Sequence, residues 1–307
     1  MTPAALFRLL VLLSLCLHAR WAYAQQLTVI HPELSGAYRN VVSEILQGVE
    51  ESSHFRPRSL ILGPATDTAE VRNQLKGSKS VIALGRQSLK LAATLDPATA
   101  LVIGGVNPGA EGEALVGISM LPDPAQLFAL LKNLLPGVRR VMVVFNPQNG
   151  DAQLRLAREA ARTLGLDLSA LEALDLSSAA RAYEALLSTA DGHRDALWLP
   201  QDATTVEETT LLPLILRESW SRNLPVFSSS VLHVKKGVLF GMYPNNVQLG
   251  RDLATMASAL QNGESVRRSM LPLRALNSAL NSRTASHLGL TLNSSQQKQF
   301  DAIFPEL

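Results

Sequence analysis

Short runs of apolar, β-favouring residues recur along this chain, and most are separated by segments with helical spacing. The β-type runs are Leu27–Ile30, Ser59–Leu62, Val81–Leu84, Ala100–Ile103, Val141–Phe145, Ala196–Leu199, Pro225–Phe227 and Val238–Phe240. Between them, Tyr38–Glu51 carries Val41, Val42, Ile45, Leu46 and Val49 on one stripe, and Gln153–Leu164 and Leu249–Leu260 repeat the pattern. Strands that are apolar on both faces and alternate with helices belong to a parallel sheet covered on both sides. That places the chain in the α/β class.

The length left after the N-terminal segment is large for one such sheet, so two lobes are expected. The segment Leu121–Gly137, "LPDPAQLFALLKNLLPG", reads as a helix opened by Pro122 and Pro124 and closed by Pro136-Gly137. "VRRVMVVFNPQNG" then begins a second βα series. The first lobe's main run therefore ends near Ser119. The expected layout is an N-terminal lobe over 25–119, completed by part of 246–275, and a C-terminal lobe over 120–245, completed by part of 276–307.

Residues 1–24, "MTPAALFRLLVLLSLCLHARWAYA", have the pattern of a cleaved secretory signal: Arg8, the apolar stretch Leu9–Leu17, and the small-x-small ending Ala22-Tyr23-Ala24. The apolar stretch falls well short of the roughly 20 residues that span a bilayer. Cys16 follows the bulky Leu15, which argues against lipid attachment. Cleavage after Ala24 is expected, with Gln25 as the new terminus and the periplasm as the destination. Cys16 is the one cysteine of the chain, so the processed protein has no disulfide and no thiol chemistry. The whole chain has 28 Lys+Arg against 26 Asp+Glu, and Arg8 and Arg20 leave with the signal. A processed chain of balanced charge has no field that would draw it to nucleic acid.

In a parallel α/β sheet, ligands bind outside the carboxyl ends of the strands. The segments that follow the expected strands are "HPELSG", "GPATD", "GRQS", "GGVNPG", "NPQNGD", "PQDATT" and "SSS". They place Arg86, Ser88, Asn146, Asn149, Asp202, Thr204 and Ser228 at candidate ligand positions. Asp, Asn, Ser and Thr after a strand also serve as helix N-caps. Asp202 stands equally well as a ligand contact or as the cap of a helix over Val206–Arg217. For Asn146, Asn149 and Ser88 the cap reading leads. Arg86 is not needed for capping, and His31 reads as a turn or packing histidine. His233, beside Lys235 and Lys236, reads as part of a solvated loop.

Enzyme motifs are missing: no G-x-S-x-G, no H-E-x-x-H, no G-x-x-x-x-G-K-[ST]. The processed chain's histidines, His31, His54, His193, His233 and His287, lack metal-ligand spacing. Asp67, Asp151 and Asp202 lie at different strand ends, which disfavours a paired-carboxylate hydrolase. The expectation is a non-enzymatic protein without cofactor or metal.

From about Val116 to Leu292 the chain resembles the substrate-binding proteins of ABC importers, in the branch that binds aromatic and other small amino acids. The resemblance is carried by N-P-x-N at Asn146–Asn149, L-x-x-P-x-D at Leu197–Asp202, N-x-P-V-F at Asn223–Phe227, K-x-G at Lys235–Gly237, L-G-R-D at Leu249–Asp252 and N-x-x-T-A-x-x-L-G-L at Asn281–Leu290. The first lobe matches more weakly, through "HPEL" and "ALGRQSLKLA". The resemblance implies two Rossmann-like lobes of the type I periplasmic binding protein fold, joined by hinge crossovers. It implies a monomer that closes on a small-molecule ligand and delivers it to an inner-membrane ABC permease. It carries ligand contact to Asp202 and to the Asn146–Asn149 loop. Two departures stand out: Val206 and Glu207 occupy positions where the family often has a small polar residue, and Arg86 stands where small residues are usual. One acid and one base suit a zwitterion such as an amino acid, with Asp202 taking the ammonium and Arg86 the carboxylate. The competing expectation is a sensor or protein-interaction subunit of an envelope complex with no transported ligand.

Overall fold

The computed structural model describes residues 27–33, 36–53, 56–63, 66–92, 94–107 and 115–305. The segment read as a signal, 1–24, lies outside the described residues. So do His54 and positions 34–35, 64–65 and 108–110 of the loops singled out above.

In chain order the first elements are β1 (Leu27–Pro32), α1 (Ala37–Ser53), β2 (Arg58–Leu62), α2 (Thr68–Leu75), β3 (Ser80–Leu84), α3 (Gly85–Ala92), β4 (Ala100–Val106), β5 (Gly117–Pro122) and α4 (Pro124–Leu134). Next come β6 (Arg140–Phe145), α5 (Pro147–Thr163), β7 (Asp167–Glu172), α6 (Leu176–Ser188), β8 (Asp195–Leu199), α7 (Leu211–Ser221), β9 (Val226–Ser228) and α8 (Val231–Lys235). The last are β10 (Phe240–Pro244), α9 (Asn246–Gln261), β11 (Met270–Leu273), β12 (Leu276–Asn281), α10 (Ser282–His287), α11 (Ser294–Gln297) and β13 (Ala302–Phe304).

Two compact units result. One comprises the chain through Met120 plus Asn246–Leu271, and the other Leu121–Asn245 plus Pro272–Leu307. The first holds a six-stranded sheet in the order β11-β5-β4-β3-β1-β2, with parallel pairing from β5 through β2. Its core packs Ile30, Val81, Ala83 and Ile103 with Val71 and Leu75 of α2 and Leu91 of α3. Helices α1 and α9 run together in the same unit, close enough that Gly250 stands against the backbone of Ile45 and Gly48 against that of Val247.

The second unit has a seven-stranded sheet in the order β13-β12-β10-β9-β8-β6-β7. Its pairs are parallel except β10 with β12. Strands β6 and β8 show why continuous apolar runs fold this way. Val141, Val143, Phe145, Ala196 and Trp198 face one cluster, in which Phe128 of α4 packs edge-on against Trp198 and Phe227. Met142, Val144, Leu197 and Leu199 face the other, against Tyr183 of α6 and Leu212 and Ile215 of α7. Helices cover both faces, so neither face needs polar residues.

The α/β class and the two mostly parallel sheets are as the sequence predicts, and several boundaries move. The helix expected over Leu121–Gly137 is α4. Pro122 closes β5, Asp123 caps the helix by accepting Ala125 N–H at 3.0 Å, and Pro124 is its first residue. The helix expected from Val206 begins at Leu211. The strand expected at Val238–Phe240 runs from Phe240, with Val238 and Leu239 as buried lead-in.

Candidate functional site

In the second unit, β6 and β8 are parallel neighbours, and so are β8 and β9, with Leu199 opposite Ser228. The loops after these three strands therefore leave the sheet side by side. They hold five of the candidate residues.

Asp202 is half-buried and organises the group. Its Oδ2 accepts the backbone N–H of Asn146 at 3.0 Å and the hydroxyl of Thr205 at 2.9 Å, and its Oδ1 accepts the backbone N–H of Thr204 at 2.9 Å. It is therefore not the cap of α7, which starts nine residues on. That duty falls to Glu207, whose carboxylate accepts the N–H groups of Thr209 at 2.8 Å, Thr210 at 2.6 Å and Leu211 at 3.4 Å, and the Thr209 hydroxyl. Hydrogen bonds from the Thr209 hydroxyl, and then from its backbone, hold the Glu207 pKa down at about 2. Among the described residues no lysine, arginine or histidine lies within ion-pair distance of Asp202.

Asn146 is buried and caps α5, its Oδ1 accepting Gln148 N–H at 2.9 Å. Its Nδ2 lies 3.5 Å from Thr204 Oγ1, so cap and Asp202 loop are joined twice. Asn149 stands exposed in the first turn of α5. Ser228 is fully buried: its Oγ contacts the Leu199 carbonyl at 3.2 Å, Ser230 N–H at 3.1 Å and His233 Nδ1 at 2.7 Å. His233 is thus buried in α8 and not in a solvated loop. Beneath the loops, Tyr183 buries a hydroxyl with no hydrogen-bond partner; burial pushes its pKa up, and the negative charge of Asp202 adds to this.

In the first unit the carboxyl end of β3 leads directly into α3. Gly85 opens that helix at φ +83, in the left-handed region where glycine is favoured. Arg86 is exposed in the first turn. Ser88 is not a cap: it lies inside α3, buried, with a hydroxyl that finds no partner. His31 packs at the end of β1, its Nε2 at 2.9 Å from Ser59 Oγ and its Nδ1 at 3.0 Å from the Pro32 carbonyl.

Sequence reasoning missed Thr205, Glu207 and His233. Two of them could have been found: Thr205 and Glu207 stand where Asx- and cap-type turn chemistry is expected after a strand. The role of His233 depends on a partner in another element.

No cluster of His, Cys, Asp or Glu among the described residues could hold a metal ion. No described helix is long and apolar enough to cross a membrane. The site offers a preorganised carboxylate amid hydroxyls and amides, which is the chemistry of binding a donor-bearing group.

No curated protein sequence matches the chain. Among solved structures, an ABC domain in complex with L-Trp from Streptococcus pneumonia is 17% identical, with a TM-score of 0.56, covering 91% of this chain and all of that one. A substrate-binding protein with adhesive properties from Clostridium difficile, in a ligand-free open structure, is 17% identical at a TM-score of 0.64, covering 90% and 98%. A sugar-binding protein of a sugar ABC transporter from Bacillus halodurans is 12% identical at 0.51, covering 85% and 99%. These likenesses establish the type I periplasmic binding protein fold. The sequence signature described as ABC transporter substrate binding protein matches residues 61–301, well over half of the chain, and the chain therefore belongs to that family.

Proposed function

We propose that this is an exported solute-binding protein that captures a small zwitterion, an amino acid or a close relative, for an ABC importer. One observation carries the reading: Asp202 is a half-buried carboxylate with no cationic partner among the described residues, held in place by three donors. A carboxylate has about four acceptor positions. Asn146, Thr204 and Thr205 fill three, which leaves room on Oδ1 for a donor from outside. An ammonium group supplies both that donor and the missing positive charge.

In this proposal Asp202 takes the ammonium, with Thr204, Asn146, Asn149 and Ser228 shaping the surrounding loops. Arg86, with the first amides of α3 and the buried Ser88 behind it, takes the carboxylate. The L-Trp carried by the Streptococcus protein supports an amino acid as the first probe. The working place is the periplasm, the protein acts as a monomer and does no catalysis, and it has no cofactor.

Titration calorimetry with L-tryptophan and then the other amino acids tests the reading. For a ligand that binds, Asp202→Ala should cost roughly 2–5 kcal/mol of affinity, because the ligand's ammonium is left buried and unpaired. Unchanged affinity in Asp202→Ala would overturn the assignment. Arg86→Ala reads separately whether the first unit contributes. A full panel without binding would favour the second reading, an interaction or sensor subunit of an envelope complex. The observation on that side is that Asn146, Thr205 and Ser228 already have their polar groups committed inside the protein.

A further inference from the structure

His233 is 5% exposed and its Nδ1 lies 2.7 Å from Ser228 Oγ. A hydroxyl has one proton to give and two lone pairs. Ser230 N–H donates to this one, and the Leu199 carbonyl, 3.2 Å away, can only accept. The hydroxyl proton therefore goes to Leu199, and His233 Nδ1 must be the donor. All three contacts are satisfied only by the neutral tautomer with hydrogen on Nδ1. The Leu199 carbonyl also accepts Ser229 N–H at 3.1 Å, while Ser229 Oγ accepts the indole N–H of Trp198 at 3.2 Å. Leu199 ends β8, three residues before Asp202.

We propose that His233 is a positioning residue for the Asp202 loop: when neutral it holds the Ser228 hydroxyl on the Leu199 carbonyl, and when protonated it lets go. This rests on the reading of Asp202 as the ligand's contact. A buried imidazolium has to reach water or a counter-charge, and turning the ring toward either breaks the Nδ1 contact. Burial lowers the pKa of His233. The carboxylate of Glu208 opposes that shift, and the Lys236 ammonium adds to it. These two charges are paired with each other at 2.8 Å. Strands β9, β10 and β12, packed against α8, bring no charged side chain, and their one titratable group, Tyr243, ionises only in alkali. The ring is therefore neutral at neutral pH, and the device changes state in acid.

The test is an NMR titration of the ¹⁵N-labelled protein through the histidine range, about 6.5 and below. The ring of His233 should titrate below the ordinary histidine value. The Trp198 indole N–H and the backbone amides of Thr204 and Asn146 should move with the same midpoint. In His233→Gln these reporters should lose that midpoint. In Ser228→Ala the histidine should still titrate while the Thr204 and Asn146 amides no longer follow it. Thr204 and Asn146 amides that stay flat through the wild-type His233 titration, or that titrate unchanged in His233→Gln, would overturn the proposal. If His233→Gln fails to fold, the wild type and Ser228→Ala still decide. The readout needs no ligand, so its failure leaves the ligand reading to the calorimetry of Asp202→Ala.

Discussion

The side-chain carboxylate of Asp202 accepts the backbone N–H of Asn146 at 3.0 Å, joining the loop after β8 to the first residue after β6. The same Asn146 caps α5 with its side chain. One carboxylate thus fixes the exit of two neighbouring strands and the start of a long helix. Because the contacts that hold Asp202 are donors only, they preserve its charge while limiting its motion. That combination is what a site for a cationic group needs, since binding then costs little reordering.

Asp202 should matter for folding as well as for binding. Replacing it with Ala leaves the Asn146 N–H and the Thr205 hydroxyl without their acceptor in a half-buried place, at a cost of roughly 1–3 kcal/mol. Asp202→Asn has one carbonyl oxygen for donors that reach two carboxylate oxygens, so it should also destabilise, and by less. Urea melts of the three proteins check this. An unchanged midpoint in Asp202→Ala would mean that the contacts to Asn146 and Thr205 contribute nothing to stability.

Glu207 should behave as the cap of α7. Its pKa is held at about 2, below the ordinary glutamate value, so its contribution is fully present above about pH 4.3 and is lost as the pH falls toward 2. Glu207→Gln should lower the melting temperature at neutral pH and narrow its gap to wild type in acid. A gap that stays constant between neutral pH and strong acid would show that the charged form has no special role.

The strands that could be read from the sequence are those buried on both faces, such as β6 and β8, where four or more apolar residues run without interruption. Strand β7, "DLSALE", escaped because it lies at the sheet edge, half-buried and with polar ends. Strands β11 to β13 escaped because each is short, and β12 owes its place to antiparallel pairing with β10, which no local pattern announces. Helix α7 was displaced because Val206 looks like the start of an apolar stripe, whereas its N–H bonds to the Asp202 carbonyl in a turn and Glu207 caps the helix further on. In the site, the capping role of Asn146 could be read from Asn-Pro after a strand. The Asp202–Asn146 contact could not, since the two residues lie 56 positions apart and meet only through strand register.

Helices α1 and α9 should not tolerate a side chain at their crossing. A Cβ on Gly250 would stand 2.0 Å from the Ile45 carbonyl oxygen, and one on Gly48 would stand 1.8 Å from that of Val247. Alanine at a helix interior is normally favourable over glycine by about 1 kcal/mol. Here the backbones would have to separate, and overpacking of this kind costs typically 1–3 kcal/mol or more. Gly250→Ala and Gly48→Ala should both lower the melting temperature, and a rise in either would show that the helices yield freely.

The pair Arg140–Asp195 should govern part of the acid stability of the second unit. Asp195 is buried at the amino end of β8; its Oδ1 accepts Arg140 Nε at 2.9 Å and its Oδ2 accepts Asp191 N–H at 2.8 Å and Arg140 Nη2. Burial pushes the carboxyl pKa up, but the hydrogen bonds from Arg140 and from the Asp191 backbone outweigh it, and the net shift is downward. A depressed carboxyl pKa stabilises the fold above its unfolded value of about 3.9. That contribution fades as the pH drops through and below this value. Asp195→Asn keeps the shape but offers one oxygen where the guanidinium and the amide use two, so it should cost roughly 1–3 kcal/mol at neutral pH. It should also flatten the fall of stability between about pH 4 and the acid limit, since one carboxyl with a shifted pKa has been removed. Urea melts at a series of pH values read both effects. A variant as stable as wild type at neutral pH, with the same acid slope, would show that desolvating Asp195 cancels everything its partners provide.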